Sequence, residues 1–165
     1  MYRRVLVPLD GSATAARGVR EAAGLAKAQG ARLRLLNVLD ERVFLATAEG
    51  YAMSNITELI ESLRAEGQKA LDEASKAVLR QRVKVDTSLV ESRGRFVSDV
   101  ILDEARKWRA DLIVMGTHGR RGINRMLLGS DAERVLRNAP VPMLLVRTEE
   151  KKKRTTPKRR RARSK

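Results

Sequence analysis

The sequence predicts an α/β fold, with an open parallel β-sheet of five strands and helices on both faces. Two observations lead to this prediction. Short, nearly continuous apolar runs, which are typical of strands covered on both faces, recur along the chain. Between them lie longer segments whose apolar residues recur every three or four positions, as on the buried side of a helix. Strands that alternate with helices form a parallel sheet through right-handed crossovers.

The N-terminal part of the chain predicts two strands joined by a helix. The first strand covers residues 5–9, and Pro8 suggests where it ends because proline has no backbone N–H for the sheet. A turn at residues 10–12 leads into a helix whose buried side contains Val19 and several alanines, and Gly30 ends that helix. The second strand covers residues 33–39.

The remaining elements follow in the same alternation. Residues 41–53 have no clear period, and a loop of that length is usually functional or disordered. The longest helix comes next, with Ser54 as its expected N-cap. Alternating residues at 83–89 predict a strand at a sheet edge, and apolar spacing at 97–108 predicts a third helix. A strand at 111–116, a helix from about 131 to 138 and a strand at 142–147 complete the set.

A glycine-rich stretch joins the fourth strand to the last helix. Gly116, Gly119, Gly122 and Gly129 allow unusual backbone conformations and leave bare N–H groups that an anion can approach. Ser130 is the expected N-cap of the helix, whose start carries unpaired N–H donors and a partial positive charge. The stretch therefore predicts a phosphate-binding loop. The alternative is a tight, capped connection that binds no ligand.

Three segments of the chain resemble the universal stress protein family, in its ATP-binding branch. They are residues 5–12, the spacing Gly116-x2-Gly119-x9-Gly129-Ser130, and residues 139–147. The resemblance covers nearly all of residues 2–147 and implies a Rossmann-like sheet with the strand order 3-2-1-4-5. That order places the first and fourth strands side by side where the strand order reverses, and ligands of such sheets bind beyond the carboxyl ends of the strands.

The same resemblance implies a site for an adenine nucleotide, with ATP as the expected cofactor, in a stress-response or regulatory protein. The implied residues are Pro8, Asp10, Val38, Met115, Gly116, Gly119, Gly129 and Ser130. The three apolar residues would line the adenine pocket, the glycines would approach the ribose and phosphates, and Ser130 would donate to a phosphate. Asp10 would accept a ribose hydroxyl or hold Mg²⁺ through water. From local sequence alone, Asp10 fits a turn or N-cap role equally well.

Neighbouring residues limit the chemistry that this site is expected to perform. Asp131 departs from the family, which more often has a small apolar residue there, and its charge would repel a triphosphate without Mg²⁺. ATP, ADP and AMP therefore remain open. The loop lacks the Gly-Lys-Ser/Thr of a P-loop, and spacing places no partner beside His118 for a catalytic pair. The sequence predicts a binding protein without catalytic or metal-ligating residues, and a slow ATPase or self-phosphorylating protein is an alternative.

The positive charge is concentrated at the C-terminal end. The net charge is +15, and residues 151–165 contain ten Lys or Arg and no acid, which leaves +5 on residues 1–150. We therefore predict a nucleotide-binding domain at 1–148 and a disordered basic tail at 149–165. The tail either aids solubility or binds nucleic acid nonspecifically. An interaction protein that binds no nucleotide, and whose tail docks nucleic acid or an acidic partner, is the other alternative.

Composition and resemblance bound the environment and partners of the chain. The absence of cysteine excludes disulfides and thiolate chemistry, and a single histidine excludes a His-rich metal site. No apolar run approaches the ~18 residues of a membrane helix, and the N-terminus does not resemble a signal peptide, so we expect a cytoplasmic protein without a membrane partner. The family resemblance implies a homodimer through the last strand, at residues 142–147. The sequence alone shows only a candidate edge strand there.

Overall fold

The computed structural model describes residues 1–42, 53–117 and 128–147. Within them, five strands form one sheet in the order β3-β2-β1-β4-β5, and all four neighbouring pairs are parallel. The strands are β1 (Arg4–Pro8), β2 (Arg32–Leu39), β3 (Lys84–Glu91), β4 (Leu112–Gly116) and β5 (Met143–Val146). The predicted fold class and strand order are confirmed.

Helices cover both faces of this sheet. They are α1 (Ala13–Gln29), α2 (Met53–Leu79), α3 (Val97–Trp108) and α4 (Ser130–Asn138). One apolar cluster contains Val5, Val7 and Leu35 together with the buried residues of α1 and α2. A second cluster, on the other face, contains Leu6 and Leu36 together with residues of α3 and α4. Successive residues of a strand point to opposite faces, so β1 contributes to both clusters.

The ends of α1 show how local sequence fixes a helix. The Ser12 hydroxyl accepts a hydrogen bond from the Ala15 N–H at 3.1 Å and caps the first turn. Gly30 ends the helix in the left-handed conformation (φ 68°), which glycine adopts without a steric penalty, and its N–H donates to the Ala26 carbonyl. The prediction for Gly30 is confirmed. In α2, by contrast, the predicted cap Ser54 lies inside the helix, which already includes Met53.

The edge strand β3 differs in detail from its prediction. It lies at the edge of the sheet, as expected. However, its side chains do not alternate cleanly between buried and exposed. Val85 and Leu89 pack against the first cluster and Val90 packs against the second, so both faces of this strand are partly buried. In the three described parts of the chain, no helix is both long enough and apolar enough to span a membrane.

Candidate nucleotide site

The candidate site lies at the carboxyl ends of β1 and β4, which are adjacent strands. From β1 the chain continues into α1 on one face of the sheet, and after β4 it returns as α4 on the other face. The strand order therefore reverses between these two strands. In open parallel sheets this reversal leaves a crevice between the loops, where ligands bind.

The three apolar residues expected to line the adenine pocket lie on the same face of the sheet. Val38 and Met115 both pack in the second cluster. Pro8 lies two positions after Leu6, a member of that cluster, so strand alternation places it on the same face. Pro8 and Met115 are buried, and Val38 is partly exposed. The structure thus brings together residues that are 107 positions apart in the sequence.

Asp10 forms the turn that follows β1. Its Oδ1 accepts a hydrogen bond from the Ser12 N–H at 2.9 Å, and Gly11 between them has a positive φ of 82°. The carboxylate therefore stabilises a turn, as local sequence allowed, while Ser12 is the residue that caps α1. Asp10 is only partly buried at the carboxyl edge of the sheet, so its position still suits a ribose hydroxyl or a hydrated cation.

Asn37 holds that turn in place and was missed by the sequence reasoning. It is buried in β2 at 6% exposure, and its Nδ2 donates to the Leu9 carbonyl oxygen at 2.9 Å. The bond ties the residue before Asp10 to the neighbouring strand. The available signal was a polar residue inside an apolar run, because a buried amide requires hydrogen-bond partners.

Thr117 fixes both ends of the glycine-rich loop, and it too was missed. It is buried at 7% exposure directly after β4. Its N–H donates to the Val146 carbonyl at 2.9 Å, and its carbonyl accepts from the Gly129 N–H at 2.8 Å. The start of α4 therefore lies beside the end of β4. The intervening residues 118–127, which include the predicted site residue Gly119 as well as His118 and Gly122, lie outside the described residues.

The start of α4 corrects two predictions. Gly129 is the N-cap, and its carbonyl accepts the first helical bond from the Glu133 N–H at 2.9 Å, so Ser130 is the first helical residue and not the cap. Gly129 also has ordinary extended angles (φ −61°, ψ 146°), and Gly116 is a strand residue of β4. Neither glycine therefore adopts a backbone conformation that other residues would avoid. Gly129 contributes the absence of a side chain beside the first N–H groups of α4, which have no acceptor within the helix.

The charges around the site are mixed. Asp131 and Glu133 lie in the first turn of α4, where they stabilise the helix but oppose an anionic ligand.

In α3, a hydrogen bond from the Arg95 guanidinium lowers the pKa of Asp103 below its ordinary value. Partial burial opposes this shift, and the charges of Arg95 and Arg106 lower the pKa further. Within residues 1–42, 53–117 and 128–147, no cluster of three metal-ligating side chains occurs.

Comparison with known proteins supports the likeness seen in the sequence. A sequence model of the universal stress protein family matches residues 1–147. A universal stress protein of Methanocaldococcus jannaschii is 36% identical over 151 residues, covering 92% of this chain and 85% of that protein. A solved protein of the same family from Burkholderia pseudomallei is 35% identical, with a TM-score of 0.70, and the likeness covers 87% of this chain and 95% of that one.

A more distant structure extends the likeness in fold. The universal stress protein of Archaeoglobus fulgidus, solved in complex with dAMP, has a TM-score of 0.60 and 23% identity, and the match covers 88% of this chain and 98% of that one. This chain belongs to the universal stress protein family.

Proposed function

We propose that this protein binds an adenine nucleotide, with ATP as the expected ligand, and acts as a regulatory or stress-response binding protein. The observation that supports this most is the contact between Thr117 and Gly129. It holds the start of α4, with Gly129, beside the end of β4, the strand that carries Met115, and this supports a site for a nucleotide there.

The apolar side of the crevice suits a flat aromatic base. Pro8, Val38 and Met115 are contributed by three adjacent strands of the sheet and share one face near its carboxyl edge. Burial of a base against such side chains removes apolar surface from water. Asp10 follows Pro8 by two residues, and its carboxylate is the proposed partner of the sugar hydroxyls of the nucleotide.

The other side of the crevice suits phosphate. The first N–H groups of α4 are oriented donors at the positive end of a helix dipole. Gly129 presents no side chain beside them, so a phosphate can approach the backbone closely. The Archaeoglobus fulgidus protein with bound dAMP shows that this fold accommodates a deoxyadenosine monophosphate. At 23% identity it shows the fold alone, so the choice of ligand depends on the side chains of this chain.

The first experiment identifies a bound ligand. The purified full chain is denatured, and any released nucleotide is identified by chromatography. Isothermal titration then compares adenosine, AMP, ADP and ATP, each with and without Mg²⁺. Retained or titrated adenine nucleotide supports the proposal, and a chain that binds none of the four refutes it. Steady release of ADP from ATP, lost in a loop variant, would establish the slow ATPase instead.

Gly129→Val tests whether a phosphate approaches the backbone at the start of α4. Valine adopts the extended angles of residue 129, so the helix start should form, but its side chain fills the space that a phosphate needs. We expect titration to detect no ATP binding while circular dichroism stays unchanged. Gly24→Val is the matched control, because a Cβ at position 24 meets nothing within 4 Å. Wild-type affinity in a folded Gly129→Val protein would contradict the proposed phosphate position.

A further inference from the structure

One aromatic ring interacts with two arginines, one after β2 and one in α4. Phe96 directly precedes α3 and is 43% exposed. The guanidinium carbon of Arg134 lies 3.6 Å from the centroid of its ring, and that of Arg42 lies 4.2 Å from the same centroid. Because both guanidinium groups lie near the centre of one ring, their positive charges are close to each other. Stacking on an aromatic ring attracts a guanidinium group and limits its motion.

The two arginines come from opposite sides of the site. Arg42 follows β2 and is four residues beyond Val38, on the side expected to hold the base. Arg134 is in α4, one helical turn after Ser130. Side chains of a helix lean toward its N-terminus, a direction that favours contact between the Arg134 guanidinium and a ligand at the first turn of α4. The ring of Phe96 thus connects the end of β2 to the start of α4.

These arginines differ in their carboxylate partners. Arg42 Nε lies 3.2 Å from Asp40 Oδ1, whereas Glu133, the neighbour of Arg134, binds Arg137 at 2.9 Å. Among the residues that the structure describes, no carboxylate forms a salt bridge with Arg134. Two guanidinium groups on one ring repel each other, and the helix start adds a partial positive charge. An anion bound here would offset both the repulsion between the two guanidinium groups and the positive charge of the helix start.

We propose that Phe96 positions Arg134, with Arg42 beside it, to bind a phosphate group of the nucleotide at the start of α4. The inference rests on the proposed function and assigns the side chains that neutralise the phosphates. An arginine held in place can donate two parallel hydrogen bonds to one phosphate. In this proposal Phe96 is a positioning residue, because it acts through its contacts with the two arginines.

The test compares ligands that differ only in phosphate. Adenosine, AMP and ATP are titrated into the full chain and its variants at about 150 mM salt, which screens distant charges. We expect Arg134→Gln to weaken ATP binding about tenfold or more, as the loss of a hydrogen bond to a charged group does, and to leave adenosine binding within about twofold. Arg137→Gln is the matched control, since it makes the same charge change in the same helix on an arginine paired with Glu133.

The ring is tested by substitutions that keep or remove its face. Phe96→Leu should weaken ATP binding about two- to fivefold, and Phe96→Tyr should restore it, because tyrosine keeps the aromatic face. In the Arg134→Gln background, Phe96→Leu should cause little further loss, since the ring acts through the arginine.

Three results would overturn the inference while the chain still binds ATP. They are equal losses in Arg134→Gln and Arg137→Gln, equal losses for adenosine and ATP in Arg134→Gln, and additive losses when Phe96→Leu is combined with Arg134→Gln. A wild-type chain that binds none of adenosine, AMP, ADP and ATP refutes the proposed function itself, and this inference with it.

Discussion

Asn37 connects the packing of a helix to the candidate site. Its Nδ2 donates to the Leu9 carbonyl before the Asp10 turn, and its Oδ1 faces Gly67 of α2. A Cβ added to Gly67 would lie 2.6 Å from that Oδ1 and 3.0 Å from the Leu89 side chain, closer than side chains tolerate. The helix can therefore lie this near to β2 only because residue 67 has no side chain. The absence of a side chain at Gly67 thus leaves room for the amide of Asn37 between α2 and β2.

Two glycine-to-alanine changes should have opposite effects on stability. Gly67→Ala should lower the free energy of unfolding by about 1–3 kcal/mol, because the new methyl group overpacks the contact with Asn37. Gly24→Ala should raise it by about 0.5–1 kcal/mol, because a Cβ in this exposed part of α1 meets nothing within 4 Å and alanine favours the helix. Urea unfolding of both variants measures the two changes. A Gly67→Ala protein as stable as the wild type would show that α2 can shift without cost.

The elements of the fold could be predicted closely from the sequence. The fourth strand was predicted at 111–116 and is observed at Leu112–Gly116, and the third helix was predicted and is observed at residues 97–108. The strand is marked by a short apolar run and the helix by an apolar period, and both signals depend on local sequence. The N-cap of α4 was predicted one residue too late. Its position depends on the bond between Gly129 and Thr117, which lie twelve residues apart on either side of the loop.

The polar contacts of the site were the least predictable part. Thr117 bonds to Val146, and Asn37 bonds to Leu9, so each partner lies nearly 30 positions away in the sequence. No local pattern specifies such pairs, because they arise only when strands become neighbours in the sheet. The apolar residues Pro8, Val38 and Met115 were placed by family resemblance, and their common face follows from the strand order. Their role toward a ligand stays a prediction.

The first turn of α4 should show an electrostatic preference among nucleotides. Asp131→Asn removes a negative charge beside the proposed phosphate position. We expect it to strengthen ATP binding without Mg²⁺ by about two- to fivefold and to change AMP binding less, because the repulsion increases with phosphate charge. Glu133→Gln is the control, since its carboxylate contacts Arg137, one turn farther from the helix start. Titrations of ATP and AMP without Mg²⁺ decide the question, and equal effects on both ligands would contradict this account.

At the scale of the whole molecule, β5 is an edge strand, with a neighbouring strand on one side only among the residues that the structure describes. It is the last strand in the sheet order, and Leu144 on it is 40% exposed. An exposed edge strand with an apolar side chain can pair with another chain. We propose that this edge forms the homodimer implied by the family resemblance.

Leu144→Lys should therefore weaken dimerisation, because charged residues on an edge strand oppose pairing. Leu79→Lys is the matched control, since Leu79 is 56% exposed but lies at the end of α2. Size-exclusion chromatography with light scattering at several concentrations measures the dimer fraction. An unchanged dimer fraction in Leu144→Lys, or a wild-type chain that is monomeric throughout, would rule out this interface.

Most of the net positive charge of the chain lies after the last strand of the sheet. Residues 151–165 carry ten cations and no acid, and they follow the last strand of the sheet. The sequence there has no apolar period that could add to either core cluster. Fold stability and nucleotide affinity should therefore depend on residues 1–150, whereas binding to a polyanion should depend on the C-terminal cations.

Removing residues 151–165 should separate these two properties. We expect an unchanged unfolding midpoint and ATP affinity, but loss of most nonspecific affinity for DNA or RNA, because the remaining chain carries only +5. If roughly six of the removed cations contact phosphates, counterion release gives the full chain a slope of log K against log salt near −5 on duplex DNA. The truncated chain should show a much shallower slope in filter-binding titrations. Equal slopes for the two forms, or no binding by the full chain at about 50 mM salt, would show that these cations serve solubility and not nucleic-acid binding.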